Sequence, residues 1–424
     1  MRLHHRHLLF LLILLISACA NQSNSQTNSV SAGGIPTPTP FQPLTENVSD
    51  PLYSEVAPTP VYLPSVTPLP PTVPPIVVVP EFLPAGVDVP TFTLSADLNP
   101  LTGLPPSDPA LMDRRPLAIK VANYPRYIRP QSGLTLADNV FEYYIEAGLT
   151  RFIAVFYGNN SEWVGPVRSG RYFDENIQRM YHAYLVFKFA DPRVESHLKN
   201  SDIAPFLVVP GLGKECPPYH IMETRDVEDY SNSYFNTFEW KNCVIKGDMD
   251  DHRQGIRQGF FDDDVSVSEL PGTQLFGYYT VDSYHNWRYD PVTNEYLRYQ
   301  EISDTRIGKP ESYAPLIDQV TGKTVHAANV VYLMAYHTFS NTFDEEDEVY
   351  QIDLTGSGEA YVFRDGIGIP ARWIRTNVDQ PLLLVTIDGS PIYFHPGITF
   401  YEVFGTASYV DHEAGEWKFH HETP

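Results

Sequence analysis

The feature that most constrains this chain is a change of composition near residue 96. From Asn21 to Gly34 the chain is Asn, Ser, Gln and Gly, and from Pro36 to Pro90 it is dense in Pro with Thr, Val and Ser. Such a stretch cannot bury enough apolar surface to offset the entropy of ordering it, and closely spaced prolines favour extended polyproline II. At ~3.1 Å per residue, roughly 55 residues reach up to ~170 Å. Residues 19–95 therefore read as a disordered Pro/Thr/Ser-rich tether. Whatever folds must do so from the remaining ~330 residues, which suit two domains.

The head explains what the tether holds. Arg2 and Arg6 precede the apolar run Leu8 to Ile16, which stops at Ile16-Ser17-Ala18-Cys19. A charged start, a run too short to span a bilayer and a small-residue cut site make residues 1–18 a signal peptide. Cysteine at the cut resembles the bacterial lipobox, so Cys19 is the expected lipidation site. Acyl chains at ~0.8 kcal/mol per buried methylene would then anchor the mature protein. His4, His5 and His7 fall in the removed segment and form no site. No later apolar run has spanning length. The expectation is an extracytoplasmic protein, held on the bacterial cell membrane by lipid on Cys19.

With 52 acidic against 29 basic residues the net charge is −23, which argues against nucleic acid as a partner, since that needs Lys/Arg clusters. After Cys19 only Cys216 and Cys243 remain. Outside the cell such a pair is a candidate disulfide, stabilising by about 3.5 kcal/mol in the chain-entropy model. A nucleophilic Cys216 with His220 is the alternative.

In the first globular half, residues 96–271, Arg115 to Ala122 reads as a buried strand. Asn139 to Glu146 alternates in polarity, and Arg151 to Tyr157 follows a turn at Ala147-Gly148-Leu149-Thr150, giving an antiparallel hairpin. Ala183 to Phe189 is another strand, and Arg171 to Tyr181 has helical spacing. Before that helix, Gly165-Pro166-Val167-Arg168-Ser169-Gly170-Arg171 suggests a tight turn with Ser169 as N-cap. Arg168 and Arg171 oppose the helix dipole there, at about 0.3–1 kcal/mol each, so something anionic should compensate. Two readings stay open. Glu142, Glu146 or Asp174 supplies internal ion pairs, or Arg168, Ser169 and Arg171, joined by Arg151 and Glu146, hold an external phosphate or carboxylate.

Several short motifs occur here in one order: Asn99-Pro100-Leu101-Thr102-Gly103-Leu104, Arg114-Arg115-Pro116-Leu117-Ala118, Arg129-Pro130-Gln131-Ser132-Gly133-Leu134, Glu146-Ala147-Gly148-Leu149-Thr150-Arg151-Phe152 and Gly165-Pro166-Val167-Arg168-Ser169. In this the chain resembles the YerB-like bacterial lipoproteins. Val385 to Gly397 carries the resemblance into the second half. It implies architecture and location but no reaction, because both family domains are of unknown function. Family members often have Arg-Ser-Ala-Arg where this chain has Arg168-Ser169-Gly170-Arg171. They also tend to carry Pro-His-Asn, for which Pro218-Tyr219-His220-Ile221 is an incomplete match.

The second half, residues 275–408, reads as strands between turns, beginning with Tyr278 to Tyr284, with Asp365-Gly366 and Asp388-Gly389 as hairpin signals. Residues 409–424 read as a polar tail. The expected fold class is α+β, a mixed α/β N-terminal domain followed by a β-rich C-terminal one. Trp287, Trp373 and Phe363 suit a packed core better than a glycan-stacking surface. Asp248, Asp250, Asp251 and His252, and Asp262 to Asp264, lack calcium-loop spacing and read as solvated loops. No zinc spacing, nucleophile elbow, zincin helix or Walker loop is present, so no catalytic residue, metal or cofactor is expected. The expected function is a non-catalytic binding or scaffold module for a cell-wall component or an envelope protein, contacted through the Arg cluster. The alternative is a peptidoglycan or glycan hydrolase or transferase, with Glu142, Glu146 and His220 gathered in one cleft.

Overall fold

In the computed structural model, residues 97–422 are described, apart from 211–215, 229–230, 257–259, 264–267 and 340–348. The expected signal peptide and tether, with Cys19, lie outside the described residues. The rest is mostly β-sheet with three α-helices among the described residues, Phe173–Tyr181, Pro192–Asn200 and Trp240–Gly247, an α+β arrangement.

The apolar runs of the first half become strands Leu117–Ala122, Asn139–Tyr144 and Thr150–Phe156, every residue of the first two being buried. The expected hairpin is present: Asn139–Tyr144 pairs antiparallel with Thr150–Phe156, which pairs with Leu117–Ala122. Tyr184–Val186 and Leu207–Val208 extend this set to one side. On the other side Asn139–Tyr144 pairs in parallel with Thr399–Gly405, from the second half of the chain. Through Asn329–Phe339, Gly356–Arg364, Ile367–Arg375 and Leu383–Thr386 that half completes an 11-stranded sheet. Asp365 and Gly366 turn the Gly356–Arg364/Ile367–Arg375 hairpin, with φ of 54° and 74°, the positive values that a two-residue turn needs.

A 7-stranded sheet packs over the large one, built mainly from Gln274–Thr280, Ser283–Asp290, Glu295–Glu301 and Glu416–His420. Two of its outcomes differ from the sequence expectation. The stretch Tyr278 to Tyr284 is not one strand, because it turns at Val281–Asp282 between two hairpin strands. The polar tail is folded: Tyr409–Glu413 and Glu416–His420 form a hairpin whose second strand adds in parallel to Gln274–Thr280. Trp417 and Phe419 fix it by burying into the core while the intervening polar residues face outwards, a period of two that charge masks in the composition.

The large sheet thus has two covered faces. Phe173, Ile177, Met180 and Tyr181 of the first helix pack on one, with Phe141, Tyr143, Ile153 and Val155. The other, with Val140, Phe152 and Phe400, meets Tyr279, Trp287 and Phe419 of the smaller sheet. Trp287, Trp373 and Phe363 are buried, as a core role requires. Cys216 and Cys243 are joined as a disulfide, their Cα atoms 5.2 Å apart.

Candidate functional site

Alternation along one strand sends neighbouring residues to opposite faces, and two ionic clusters form back to back. Glu142 faces the smaller sheet. Because Asn139–Tyr144 and Thr399–Gly405 are parallel and in register, Glu142 lies directly beside Glu402. Two carboxylates on adjacent strands of a sealed interface need a cation between them. Arg298, from Glu295–Glu301 of the opposing sheet, supplies it. Its Nη1 donates to Glu402 Oε1 at 2.5 Å and its Nη2 to Glu142 Oε2, while Nε donates to Gln300 Oε1 at 3.0 Å. Trp287 Nε1 donates to Glu402 at 2.9 Å, and Asn123 and Thr150 donate to Glu142 at 2.9 and 2.6 Å.

Glu142, Arg298, Glu402 and His285 are all buried. Burial, only partly offset by Arg298, pushes the Glu402 carboxyl up to about 8. Burial opposes the charge on Arg298, but Glu142 and Glu402 outweigh it and hold the guanidinium above its ordinary value. Burial and Arg298 together drive His285 well below the usual histidine range, so its ring is neutral. Glu142, His285 and Glu402 each offer a ligand atom, all within 4.8 Å of one another. Arg298 already stands between the two carboxylates, so this donor set fits an internal guanidinium rather than a metal ion.

The second cluster lies on the helix-covered face. Arg151 opens strand Thr150–Phe156 opposite Tyr143 and Ala122. Lys120, two residues along from Ala122, shares that face and bonds Asp174 Oδ1 at 2.9 Å, with Tyr143 OH donating to the same oxygen at 2.5 Å. The segment Gly165–Gly170 runs alongside: Ala122 donates to the Pro166 carbonyl at 2.9 Å and Arg168 N–H to that of Lys120 at 3.1 Å. It is therefore extended, not a tight turn. Gly165 permits it at φ 152°, where a Cβ would sit 2.8 Å from Val167 N. Ser169 is not the N-cap. Helix Phe173–Tyr181 begins after Tyr172, and Asp174 reaches back to accept from Arg171 N–H at 2.8 Å.

The structure brings Arg151, Arg168, Arg171 and Glu146 together, all partly exposed. Arg171 grips Glu146 with two donors, Nε at 2.8 Å and Nη2, and its Nη1 also donates to the Ser169 and Gly170 carbonyls. Arg168 Nη2 donates to Ser231 Oγ at 3.0 Å. Arg151 donates to the Thr150 carbonyl at 2.9 Å and forms no ion pair with the described carboxylates. Burial, then Arg171 and Arg168, lower Arg151 to about 9. Burial lowers Lys120 to about 7 despite Asp174. Internal acids pair with two of these cations, Glu146 with Arg171 and Asp174 with Lys120.

The remaining candidates are dispersed. Glu142 is on the opposite face, and His220 Nε2 instead lies 3.0 Å from Glu239 Oε2, so Glu142, Glu146 and His220 share no cleft. Asp250, exposed as expected of a solvated loop, and the more buried Asp251 both accept from Arg115. Sequence reasoning missed Lys120, Arg298, His285 and Glu402. A lone Lys or Glu inside an apolar strand run, as in Leu117–Ala122 and Thr399–Gly405, was the available signal. No described helix is long and apolar enough to cross a membrane.

Fold and comparison define the class. Residues 101–248 match the N-terminal domain, and 276–401 the C-terminal domain, of the family described as "Protein of unknown function (DUF3048)", and the chain belongs to that family. A similar protein is "Putative lipoprotein YerB" of Bacillus subtilis (strain 168), 27% identical over 307 residues, which are 72% of this chain and 85% of that protein. The crystal structure of YerB from Bacillus subtilis matches with a TM-score of 0.59 at 26% identity, over 72% of this chain and 96% of that one.

Proposed function

We propose that this chain is a lipid-anchored, extracytoplasmic binding or scaffold module without catalytic activity, and that Arg151, Arg168 and Arg171 contact an anionic group of an envelope component. The observation that carries this reading is the gathering of three partly exposed guanidinium groups, Arg151, Arg168 and Arg171, in a chain of net charge −23. Desolvating a cation without a partner is costly, so an arrangement that keeps Arg151 among other cations favours an external anion. The lipobox-like Ile16-Ser17-Ala18-Cys19, the Pro-rich tether and the name of the Bacillus subtilis relative support the anchored location. The β-rich half would offer a second interaction surface.

Co-sedimentation of the purified protein with isolated envelope material tests the contact site. Replacing Arg168 and Arg171 together by Ala is expected to abolish sedimentation while the circular dichroism spectrum and unfolding midpoint persist. Binding equal to that of the unaltered protein would refute the assignment.

A further inference from the structure

We infer that the open edge of strand Tyr409–Glu413 is the docking site for an extended basic peptide of a partner protein, which adds to the smaller sheet as an antiparallel strand. This rests on the reading of the β-rich half as a second interaction surface and names its occupant.

The backbone offers the site. Tyr409–Glu413 ends the smaller sheet and pairs, among the described residues, with Glu416–His420 alone. The turn between these strands holds two residues, Ala414 and Gly415, at φ of 51° and 90°, so Glu413 and Glu416 exchange both backbone bonds. Alternation then points the N–H and C=O of Val410 and His412 away from the hairpin, to the open side. A row of such groups is satisfied by a further peptide strand.

The side chains specify that strand. Tyr409 stacks on His420 with ring centroids 4.5 Å apart, and His420 on Tyr278 at 4.8 Å. These residues are direct cross-strand neighbours, so the row of rings crosses the sheet and stops at Tyr409, which is 50% exposed. An added strand can continue the row with one more aromatic side chain. Asp411 and Glu413 share that sheet face and are exposed. Lys418, opposite Asp411, forms its ion pair with Glu416 instead. In the added strand, the positions opposite Tyr409, Asp411 and Glu413 are the non-hydrogen-bonded ones, where side chains approach most closely. Opposite charges are favourable there and like charges are not. From its N-terminus, the incoming segment therefore alternates basic, basic and aromatic residues with spacers that face the other side. A second copy of this chain fits poorly, because antiparallel pairing about Asp411 sets that acid against its own counterpart.

Fluorescence anisotropy of the full protein with a capped, labelled peptide tests this. In the probe, threonine alternates with lysine, lysine and phenylalanine, in that order. It should bind saturably, and glutamate in place of both lysines should abolish binding. Alanine in place of the phenylalanine should weaken binding roughly threefold to tenfold, the scale of an aromatic pair. N-methylation of the two threonine amides between these side chains, which face the edge, should abolish binding, whereas methylation of the lysine and phenylalanine amides should spare it. Asp411→Lys with Glu413→Lys should transfer binding from the lysine peptide to the glutamate peptide. No saturable binding of the lysine peptide, equal binding of both peptides, or indifference to which amides are methylated would overturn the inference. None of these readouts uses Arg151, Arg168 or Arg171. Envelope co-sedimentation that depends on Arg168 and Arg171 therefore stands or falls separately from peptide binding.

Discussion

Glu142 and Tyr143 are adjacent in one strand, and so are Thr150 and Arg151 beside them, yet each pair contributes to two clusters of opposite character. Between the sheets, Glu142, Glu402 and Arg298 are sealed from water, and their charges are matched by one guanidinium and one retained proton. On the helix side, Arg151, Arg168, Arg171 and Glu146 are partly exposed, and Arg171 pairs with Glu146 within reach of solvent. The same residue types serve a sealed network in one place and a solvent-accessible one in the other. The difference lies in access to solvent, because a sealed ionic group must complete its partners within the protein, while an open one can take them from outside.

The largest expected effect separates the two directly. Arg298→Met leaves two buried carboxylates facing each other and should cost about 3–5 kcal/mol in urea unfolding. Glu142→Gln should be similarly damaging, because it removes the carboxylate that accepts from Arg298 Nη2. Glu402→Gln should cost only about 1 kcal/mol near neutral pH, since an amide resembles the protonated acid already present.

Titration sharpens this further. Between the ordinary carboxylate range and about 8, the folded protein keeps a proton on Glu402 that the unfolded chain releases. Its contribution to stability is therefore complete at low pH and declines as pH rises through that window. Lys120, lowered to about 7, acts in the opposite sense above neutrality, as do His337 and His421, lowered to about 4 and 3, in acid. The informative quantity is the difference between the unaltered protein and Glu402→Gln. Unfolding midpoints from pH 6.5 to 8.5 should show a downward component in the former that the latter lacks.

The open cluster should behave as a site that stability does not need. Arg171→Ala removes a partly exposed pair and should cost under about 1 kcal/mol. Arg151→Met should stay within about 0.5 kcal/mol of the parent or gain slightly, because it relieves a cation pressed against two others. A large loss in either variant would move this cluster into the structural class.

Local features were legible because their causes are local. The apolar runs, the alternation of Asn139 to Glu146 and the Asp365-Gly366 turn led to the right strands, and Arg151, Arg168, Arg171 and Glu146 to a real cluster. What was not legible depends on distant pairing. Nothing in Asn139–Tyr144 indicates that its parallel partner is Thr399–Gly405, about 260 residues away. Glu402 and Arg298 read as ordinary strand polar residues until that pairing and the second sheet bring them together. Ser169 failed as N-cap because bridges from Val121 and Ala190 hold its segment extended, a tertiary effect that overrides a local preference. The hairpin of Tyr409–Glu413 and Glu416–His420 reads as a polar tail because charge on the outer face conceals Trp417 and Phe419.

The contrast between the sealed and open clusters is tested most directly by crystals of the protein soaked in selenate, a tetrahedral dianion with a strong anomalous signal. The account predicts a peak within hydrogen-bond reach of the Arg151, Arg168 and Arg171 guanidiniums, with the space around Arg298 unchanged. A map with selenate bound elsewhere on the surface and none at these three arginines would contradict it.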